Sequence, residues 1–427
     1  MIMTERNEIF KFTQKEKRIF SILSVFMMFG NVYIFPLIPV LGWGEVLFLV
    51  FMPYFVIKAR SIFVISQTEF MLVVFMIYGL LITLFAGAYF QTSLVSIITR
   101  LARDFFYYFI IVFLGTKLLD KTIFFELVNL FCVCLSIFVI VQSAVYIFTG
   151  FFIPGFLLDF QINDGQHMGR EVYSNYLSYA RIAGYLRPNG FLCEPAHCAQ
   201  CFFVDLILIL FGVEEKNRKT YICAAIVSLG SFITMSTSAV VYLATVFVMW
   251  IVKEGKHDVL KIVAIIVLTF MLFFVAYSRG NLDNMLSVVR RLSNALEGDP
   301  VTNSTALRIQ KGIAIFINLP IIFKLFGIGF GTYSSALSNS VISATVTGVD
   351  NEYMNSFSYI LVSSGVIGSI IMVGTFLVLY RKSTQLGRMM IIALFIMSLG
   401  SSIYSSPISV WLMLVILNSR LSYKIDN

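Results

Sequence analysis

Three short blocks of this 427-residue chain bring together residue types that can do chemistry. The first is Arg187-Pro188-Asn189-Gly190-Phe191-Leu192-Cys193-Glu194-Pro195, an arginine and a carboxylate at the mouth of a helix. Pro195 suits the first turn of a helix, where its missing N–H costs nothing. Glu194 then sits close to the N-cap, where the helix dipole favours a negative charge, and Gly190 allows close backbone approach. An Arg187–Glu194 ion pair holding the helix start accounts for this block; so does an arginine that grips an anionic ligand. The second block is Phe326-Gly327-Ile328-Gly329-Phe330-Gly331, downstream of Arg308. A Gly-x-Gly-x-Gly run can cradle phosphate or let two helices pack closely. Without a preceding strand or a Walker lysine it is no nucleotide fingerprint. The third block is Asp350-Asn351-Glu352-Tyr353-Met354-Asn355, followed by Gly365-Val366-Ile367-Gly368. Its acidic residues cap a helix mouth or supply a general base.

The elements that must position these blocks are membrane helices. The chain is 59% apolar and 13% charged, with a mean hydropathy of +0.88. A soluble protein carries about 25% charged residues, so lipid must be the solvent for much of this surface. The 43 Phe and 20 Tyr suit both the acyl region and the interfacial belt. A helix needs about 20 apolar residues to cross the hydrocarbon core. Twelve such runs are expected, at 19–35, 38–57, 69–88, 94–116, 123–149, 191–212, 220–235, 238–252, 259–278, 356–380, 389–403 and 407–419. The stretches 220–252 and 389–419 read either as tight hairpins or as long helices broken at Ser236–Ser238 and Pro407. The expected fold is an all-α polytopic membrane protein, one domain over 1–427, with large outer loops at 150–190 and 279–355. The second loop holds an amphipathic stretch from Met285 to Leu296 and an apolar one from Leu307 to Phe326, able to re-enter the membrane or lie on it. Residues 1–18 lack a cleavable-signal pattern, so the first apolar run is expected to remain as an anchor.

Charge sets the orientation. With a cytoplasmic N-terminus, 20 of the 31 Lys and Arg fall in inside segments, at least two in each. By the positive-inside rule both termini are then cytoplasmic. The other eleven are Arg100, Arg103, Arg170, Arg181, Arg187, Arg279, Arg290, Arg291, Arg308, Lys311 and Lys324. Nine lie in the outer loops; Arg100 and Arg103 lie within or at the edge of the fourth run. Arginine presents a flat, permanently charged fork that grips phosphate in bidentate fashion. A charge near the bilayer interior is costly and usually retained for function. Arg100, Arg103, Arg290, Arg291 and Arg308 are therefore candidates for holding an anion, with snorkelling to the interface the plainer reading for the first two.

Other classes are excluded or disfavoured. The pI near 9.1 does not indicate nucleic acid, because the basic residues form short clusters between apolar runs without a basic stripe or a binding motif. Most of the six cysteines fall inside apolar runs, where a thiol behaves as a small hydrophobe. Cys193, His197, Cys198 and Cys201 mimic a zinc cluster, but on a helix they share a face only approximately, and helix packing explains them better.

The three blocks, in this order, resemble those of the O-antigen polymerase and ligase superfamily. The resemblance lies in an Arg-x-x-Gly-x-x-x-Glu-Pro helix start after a long outer loop, a Gly-x-Gly-Phe-Gly block, and a polar helix mouth leading to Gly-x-x-Gly. It spans about 185–370 in motifs and the whole chain in topology. It implies a glycosyltransferase of GT-C-like architecture in the bacterial inner membrane, using undecaprenyl-diphosphate-linked oligosaccharide repeats, with no cofactor and no metal. A polysaccharide chain-length regulator is a partner on the same ground. Family arginines in the outer loops are thought to hold the diphosphate, a role that carries by motif to Arg187 and to Arg308. The same setting makes Gly327, Gly329, Tyr353 and Asn355 further binding candidates. The leaving diphosphate needs charge stabilisation, and the acceptor hydroxyl needs a base, for which Glu194, Asp350 and Glu352 are candidates. Two departures favour polymerase over ligase: Ser236-Thr237-Ser238 is followed by Ala239 rather than Arg, and no histidine lies beyond His257. A flippase for the same lipid-linked repeat is the reading from a different class. The product implied by the resemblance is an O-antigen, capsule or exopolysaccharide.

Overall fold

The computed structural model describes residues 12–31, 42–59, 66–155, 161–162, 166–167, 186–192, 194–213, 216–254, 304–342 and 354–419. The helices, in chain order, begin with α1 (Gln14–Phe26), which runs into a 3-10 turn at Met27–Asn31, then α2 (Trp43–Ala59) and α3 (Gln67–Tyr89). Next come α4 (Leu94–Asp104), a π-helical stretch Phe105–Val112, α5 (Phe113–Leu118) and α6 (Lys121–Thr149). α7 (Pro195–Ile207) continues as a second π stretch, Leu208–Gly212, before α8 (Arg218–Ile233) and α9 (Thr237–Glu254). The last are α10 (Ser304–Asn318), α11 (Ile321–Phe326), α12 (Tyr333–Ser338), α13 (Ser356–Lys382), α14 (Gln385–Gly400) and α15 (Pro407–Asn418). Among the described residues the only strand pairing is Gln161–Ile162 with Gln166–His167.

Helix therefore stands at eleven of the twelve expected segments; the ninth, 259–278, lies outside the described residues, as does the stretch from Met285 to Leu296. Among the described residues, four helical runs are long and apolar enough to cross a membrane: Glu69–Tyr89, Lys121–Thr149, Pro195–Gly212 and Ser356–Lys382. Large apolar side chains point outward along the first, second and fourth of these, as with Phe70, Ile77, Leu81, Leu84 and Phe85 on α3, all about half exposed or more. Such a belt belongs against lipid, and the chain is a helical membrane protein. α14 and α15 are 16 and 12 residues long. At 1.5 Å per residue they rise only about 24 and 18 Å, short of the roughly 30 Å hydrocarbon core.

Composition shows no internal boundary, yet the contacts group the chain into two compact units. The first comprises Met1–Gly30, Trp43–Phe124 and Glu297–Asn427. α15 lies inside it, buried along its whole length from Pro407 to Leu417, as expected of a helix that is apolar all round. Trp411 Nε1 donates to Ser24 O on α1 at 2.7 Å, and Asn418 Nδ2 donates to Gly115 O on α5 at 3.2 Å. Thr384 N donates to Ser419 O at 2.7 Å, joining the start of α14 to the end of α15. The pair is thus an antiparallel hairpin turning before Pro407, which occupies the first helical position.

α1 opens with a capping box in which Thr13 and Glu16 bond reciprocally. The Glu16 carboxylate also accepts from Tyr54 and, at 2.5 Å, from Lys58 Nζ. Burial works against the charged carboxylate, but the bonds from Lys58, Tyr54 and Thr13 outweigh it and hold Glu16 at about 2, below its ordinary 4.5. A carboxylate depressed in the folded state stabilises fully above its unfolded value and loses that contribution as pH falls toward the folded one. We expect thermal stability in detergent to fall as pH drops from 4.5 toward 2, and Glu16→Gln to flatten that fall. An identical pH profile for the variant would remove Glu16 as its source.

The second unit comprises Asn31–Gly42 and Phe125–Leu296. α7 is its core, with every residue from Cys198 to Ile207 buried, packed by α8 and α9. Phe203 stacks on Tyr242 with ring centroids 4.7 Å apart. α8 and α9 separate at Met235, which has a φ of +50°. Lys216, just before α8, lies 6.0 Å from the Trp250 ring near the end of α9, so this stretch too is a hairpin rather than a broken helix. Gly230 of α8 crosses α6 at Ser136; a Cβ there would stand 2.8 Å from Ser136 Cα, the close approach that small residues permit between membrane helices.

Candidate functional site

The Arg187 block lies in the second unit and is built around Gln142 of α6, which is fully buried. Gln142 Oε1 accepts from Gly190 N at 2.8 Å, while its Nε2 donates to Gly190 O at 3.1 Å and to Ile153 O at 2.8 Å. Gly190 has a φ of +60°, and a Cβ on it would run into Leu135. Asn189 bridges the turn, donating from Nδ2 to Leu192 O at 2.7 Å and accepting from Leu192 N at its own carbonyl at 3.0 Å. The Cys198 thiol donates to Asn189 O at 2.8 Å, so this thiol serves packing of the loop on α7. Pro195 is the first helical residue and Glu194 the N-cap, as its position in the block implies.

The Arg187–Glu194 ion pair, one of the two readings of this block, is not formed. Glu194 is exposed and its side chain makes no capping bond. Arg187 Nε is buried and has no partner among the described residues. A rigid loop thus holds a guanidinium part-buried beside the start of α7 with one donor unused.

The glycine block lies in the first unit, where the fold uses several of its amides. α13 is interrupted at Gly365, with φ +65° and ψ −171°. The interruption frees carbonyls within the helix, and the glycine block and α3 satisfy them. Ile328 N donates to Val362 O at 3.1 Å, Gly329 N to Ser363 O at 2.9 Å, and Tyr78 Oη to Ser364 O at 3.0 Å. Gly327 N donates to Phe323 O at 2.8 Å, and Phe330 N to Thr83 Oγ1 at 2.9 Å. The amides of Ile328, Gly329 and Phe330 thus dock the loop on α13 and α3. Non-helical backbone inside an apolar helix is tolerated where such freed groups are paired within the protein.

Arg100 and Arg103 of α4 lie in the same unit, each facing a carboxylate. Arg103 Nε stands 3.2 Å from Glu45 Oε1, a nearly inaccessible carboxylate of α2 that also accepts from Tyr107 Oη at 2.5 Å. Arg100 Nε stands 3.7 Å from Asp104 Oδ2, whose other oxygen accepts from Ser405 Oγ at 2.6 Å. The Arg100 guanidinium lies 5.2 Å from the centre of the Tyr359 ring, a cation–π distance. Its stem lies against Gly331, where a Cβ would stand 3.2 Å from Arg100 Cβ. Asn355 caps α13 through Oδ1 to Ser358 N at 2.8 Å and reaches α14 through Nδ2 to Leu399 O at 2.9 Å. Its N–H donates to Arg308 O at 3.2 Å, so α10, α13 and α14 meet at this residue. Around the first half of α13 the fold therefore collects Arg100, Arg308, Gly327, Gly329 and Asn355. Arg290, Arg291, Asp350, Glu352 and Tyr353 lie outside the described residues.

Three buried carboxylates escape a reading by motif. Glu45 and Asp104 are the partners just named. Asp205 of α7 is fully buried inside a membrane-length run, with both oxygens 3.4 Å from Asn129 Nδ2 of α6. The signal for it was a lone acid in Phe202-Phe203-Val204-Asp205-Leu206-Ile207, since an ionisable residue inside a span marks a functional position by default. Asp104 and Asp205 each stand just ahead of a π-helical stretch, a local widening frequent at functional sites. No group of three or more His, Cys, Asp and Glu among the described residues is placed to hold a metal ion.

Compared with protein-family models and with curated proteins, the chain matches none.

Proposed function

We propose that this protein is a membrane-embedded glycosyltransferase that polymerises saccharide repeats carried on undecaprenyl diphosphate, at the outer face of the bacterial cytoplasmic membrane. The observation that carries this reading is the state of Arg187. A guanidinium cannot shed its charge, and leaving a buried donor unpaired costs about 1–3 kcal/mol. Glu194, seven residues on, is the inexpensive partner, and the fold does not use it. An arginine held in a fixed loop without its nearby counterion is suited to an anionic ligand that arrives from outside.

In this reading the acceptor hydroxyl attacks the anomeric carbon of the donor glycan, the bond to the diphosphate oxygen breaks, and undecaprenyl diphosphate leaves. Arg187 stabilises the charge that develops on the leaving diphosphate, and Arg308 is the second arginine of the motif set. The base that takes the hydroxyl proton is drawn from Glu194, Asp350 and Glu352. The energy resides in the diphosphate linkage, so neither cofactor nor metal is needed. The finer topology, twelve crossings with both termini inside, rests on the lysine and arginine pattern, and the GT-C-like arrangement on the family resemblance. It predicts that a periplasmic reporter fused at Ser383 stays inactive, and an active fusion would sink the topology.

The function is tested by deleting the gene and separating the surface glycan by length on a gel. Single repeats should remain attached and the ladder should vanish; an unchanged ladder overturns the proposal. One observation favours the alternative of a lipid-linked oligosaccharide flippase: α13 is interrupted at Gly365, as transporter helices often are at the midplane. Against it, the freed carbonyls of α13 are taken up by the protein itself. The same gel separates the two, because loss of a flippase traps repeats inside and leaves none attached.

A further inference from the structure

A cleft in the first unit plays no part in the chemistry above. It is walled by α3, α13, α14 and α15 together with the π-helical stretch after α4. On α13 its lining includes residues from Ser356 to Phe376, about 30 Å of helix at 1.5 Å per residue. Its volume is about 90 Å³, on a scale where one water takes about 10–15 Å³. So long and narrow a space admits one chain in cross-section and no bulky ring system.

None of the described residues lining the cleft is charged. Three of its hydroxyls are spent within the protein. Ser356 Oγ donates to Ser401 O at 3.0 Å and accepts from Ile403 N at 2.6 Å, Ser409 Oγ donates to Ser406 O at 2.7 Å, and Tyr108 Oη donates to Tyr404 O. Much of the remaining wall is aliphatic and aromatic, with Met76, Met372 and Met413 among it, side chains that adapt to an irregular occupant. Water finds few partners in such a space, and an empty apolar void forfeits dispersion contacts along its lining. The occupant that restores them is hydrocarbon.

The open side of the cleft shows where that hydrocarbon comes from. Phe357 and Val373 of α13 and Phe395 and Leu399 of α14 line the cleft and also face outward, each more than one-third exposed. They belong to the apolar surface that lies against lipid, so the cleft opens onto the bilayer interior. Phospholipid acyl chains are the solvent there and fill the cleft by mass action. A charged headgroup has nothing to meet inside it and stays out. An isoprenoid chain, with a methyl branch on every unit, is bulkier and fits a narrow cleft less well. We infer that this cleft seats one acyl chain of a membrane phospholipid, wedged between α13 and α14. The inference does not depend on the glycosyltransferase reading.

The test uses the full chain in nanodiscs of phosphatidylethanolamine and phosphatidylglycerol with a trace of phosphatidylcholine that carries a diazirine in its acyl chain. Photolysis is followed by peptide mass spectrometry. Phe70 and Leu81 on the outward face of α3 are the control for ordinary contact with the bilayer. Tyr404 and Met413 line the cleft and are buried, so they are labelled only if a chain enters. Wild type should be labelled at all four positions. Ser398→Phe, which sets a ring in the cleft, should abolish labelling of Tyr404 and Met413 and leave that of Phe70 and Leu81 unchanged. Where that variant does not accumulate, Ser369→Phe carries the same comparison. Labelling confined to α3 in wild type overturns the inference, and so does labelling of Tyr404 and Met413 that survives the filled cleft. A second arm carries the diazirine on a polyprenyl phosphate at the same amount. Labelling of Tyr404 and Met413 by that probe in preference to the phospholipid assigns the cleft to an isoprenoid and overturns the acyl-chain seat.

Discussion

Gly365→Ala and Gly327→Ala are each expected to leave little folded protein. The two glycines meet backbone to backbone where α11 leads into the glycine block beside the interruption of α13. A Cβ on Gly365 would stand 2.6 Å from Gly327 N, and a Cβ on Gly327 would stand 2.7 Å from Gly365 N. Neither neighbour is a side-chain end that can swing away. Both glycines also have positive φ, +65° and +92°, where an L residue costs about 1–2 kcal/mol. Forcing a methyl into a filled site costs typically 1–3 kcal/mol more. The added group would also push Ile328 N and Gly329 N away from Val362 O and Ser363 O, leaving carbonyls unpaired in an apolar setting. A loss of about 3–5 kcal/mol is comparable with much of the stability of an ordinary domain. The control is Gly374→Ala, further along α13, where a Cβ meets nothing within 4 Å. There alanine should be neutral or stabilising by up to about 1 kcal/mol. The readout is the fraction that stays monodisperse on size exclusion after heating. Equal survival of Gly365→Ala and Gly374→Ala would show that the crossing is not tight.

The second large effect concerns activity. Arg187→Lys and Arg187→Ala should both accumulate in the membrane at near wild-type levels while polymer formation falls at least about tenfold, equivalent to roughly 1.4 kcal/mol of transition-state stabilisation. Accumulation should hold because Arg187 makes no ion pair that the fold depends on; the loop is held by Gln142, Asn189 and Gly190 instead. Lysine should not rescue, because a bidentate grip on a diphosphate needs the planar fork and an ammonium is a point charge. A site that only needs positive charge would be restored by lysine. Normal polymer from Arg187→Ala at normal expression would remove this residue from the active site and weaken the assignment of all three blocks.

The helical segments were legible in the residues themselves. Lipid as solvent demands long apolar runs, and the runs at 69–88, 123–149, 191–212 and 356–380 became the helices that can cross a membrane. Local chemistry placed ends as well: Pro195 and Pro407 each took the first helical position. These are properties of neighbours along the chain, set by the covalent geometry of proline and by the length of an apolar run.

Partners distant in sequence were decided by packing alone. The spacing of Gly327, Gly329 and Gly331 suits a phosphate cradle and a helix crossing equally, and the choice depends on where the amides point. Those of Ile328 and Gly329 point at carbonyls freed by the interruption of α13 at Gly365, more than thirty residues on, and that of Gly327 closes the end of α11. Arg103 looked uncompensated because its counterion, Glu45, sits on another helix. Closeness in sequence left an Arg187–Glu194 ion pair open as one of two readings, and in the fold, where Gln142 clamps Gly190, the pair is not formed. A hydrogen bond or an ion pair is specific only over about 3–4 Å. Sequence proximity cannot set such a distance between residues on different elements; the tertiary packing of those elements does.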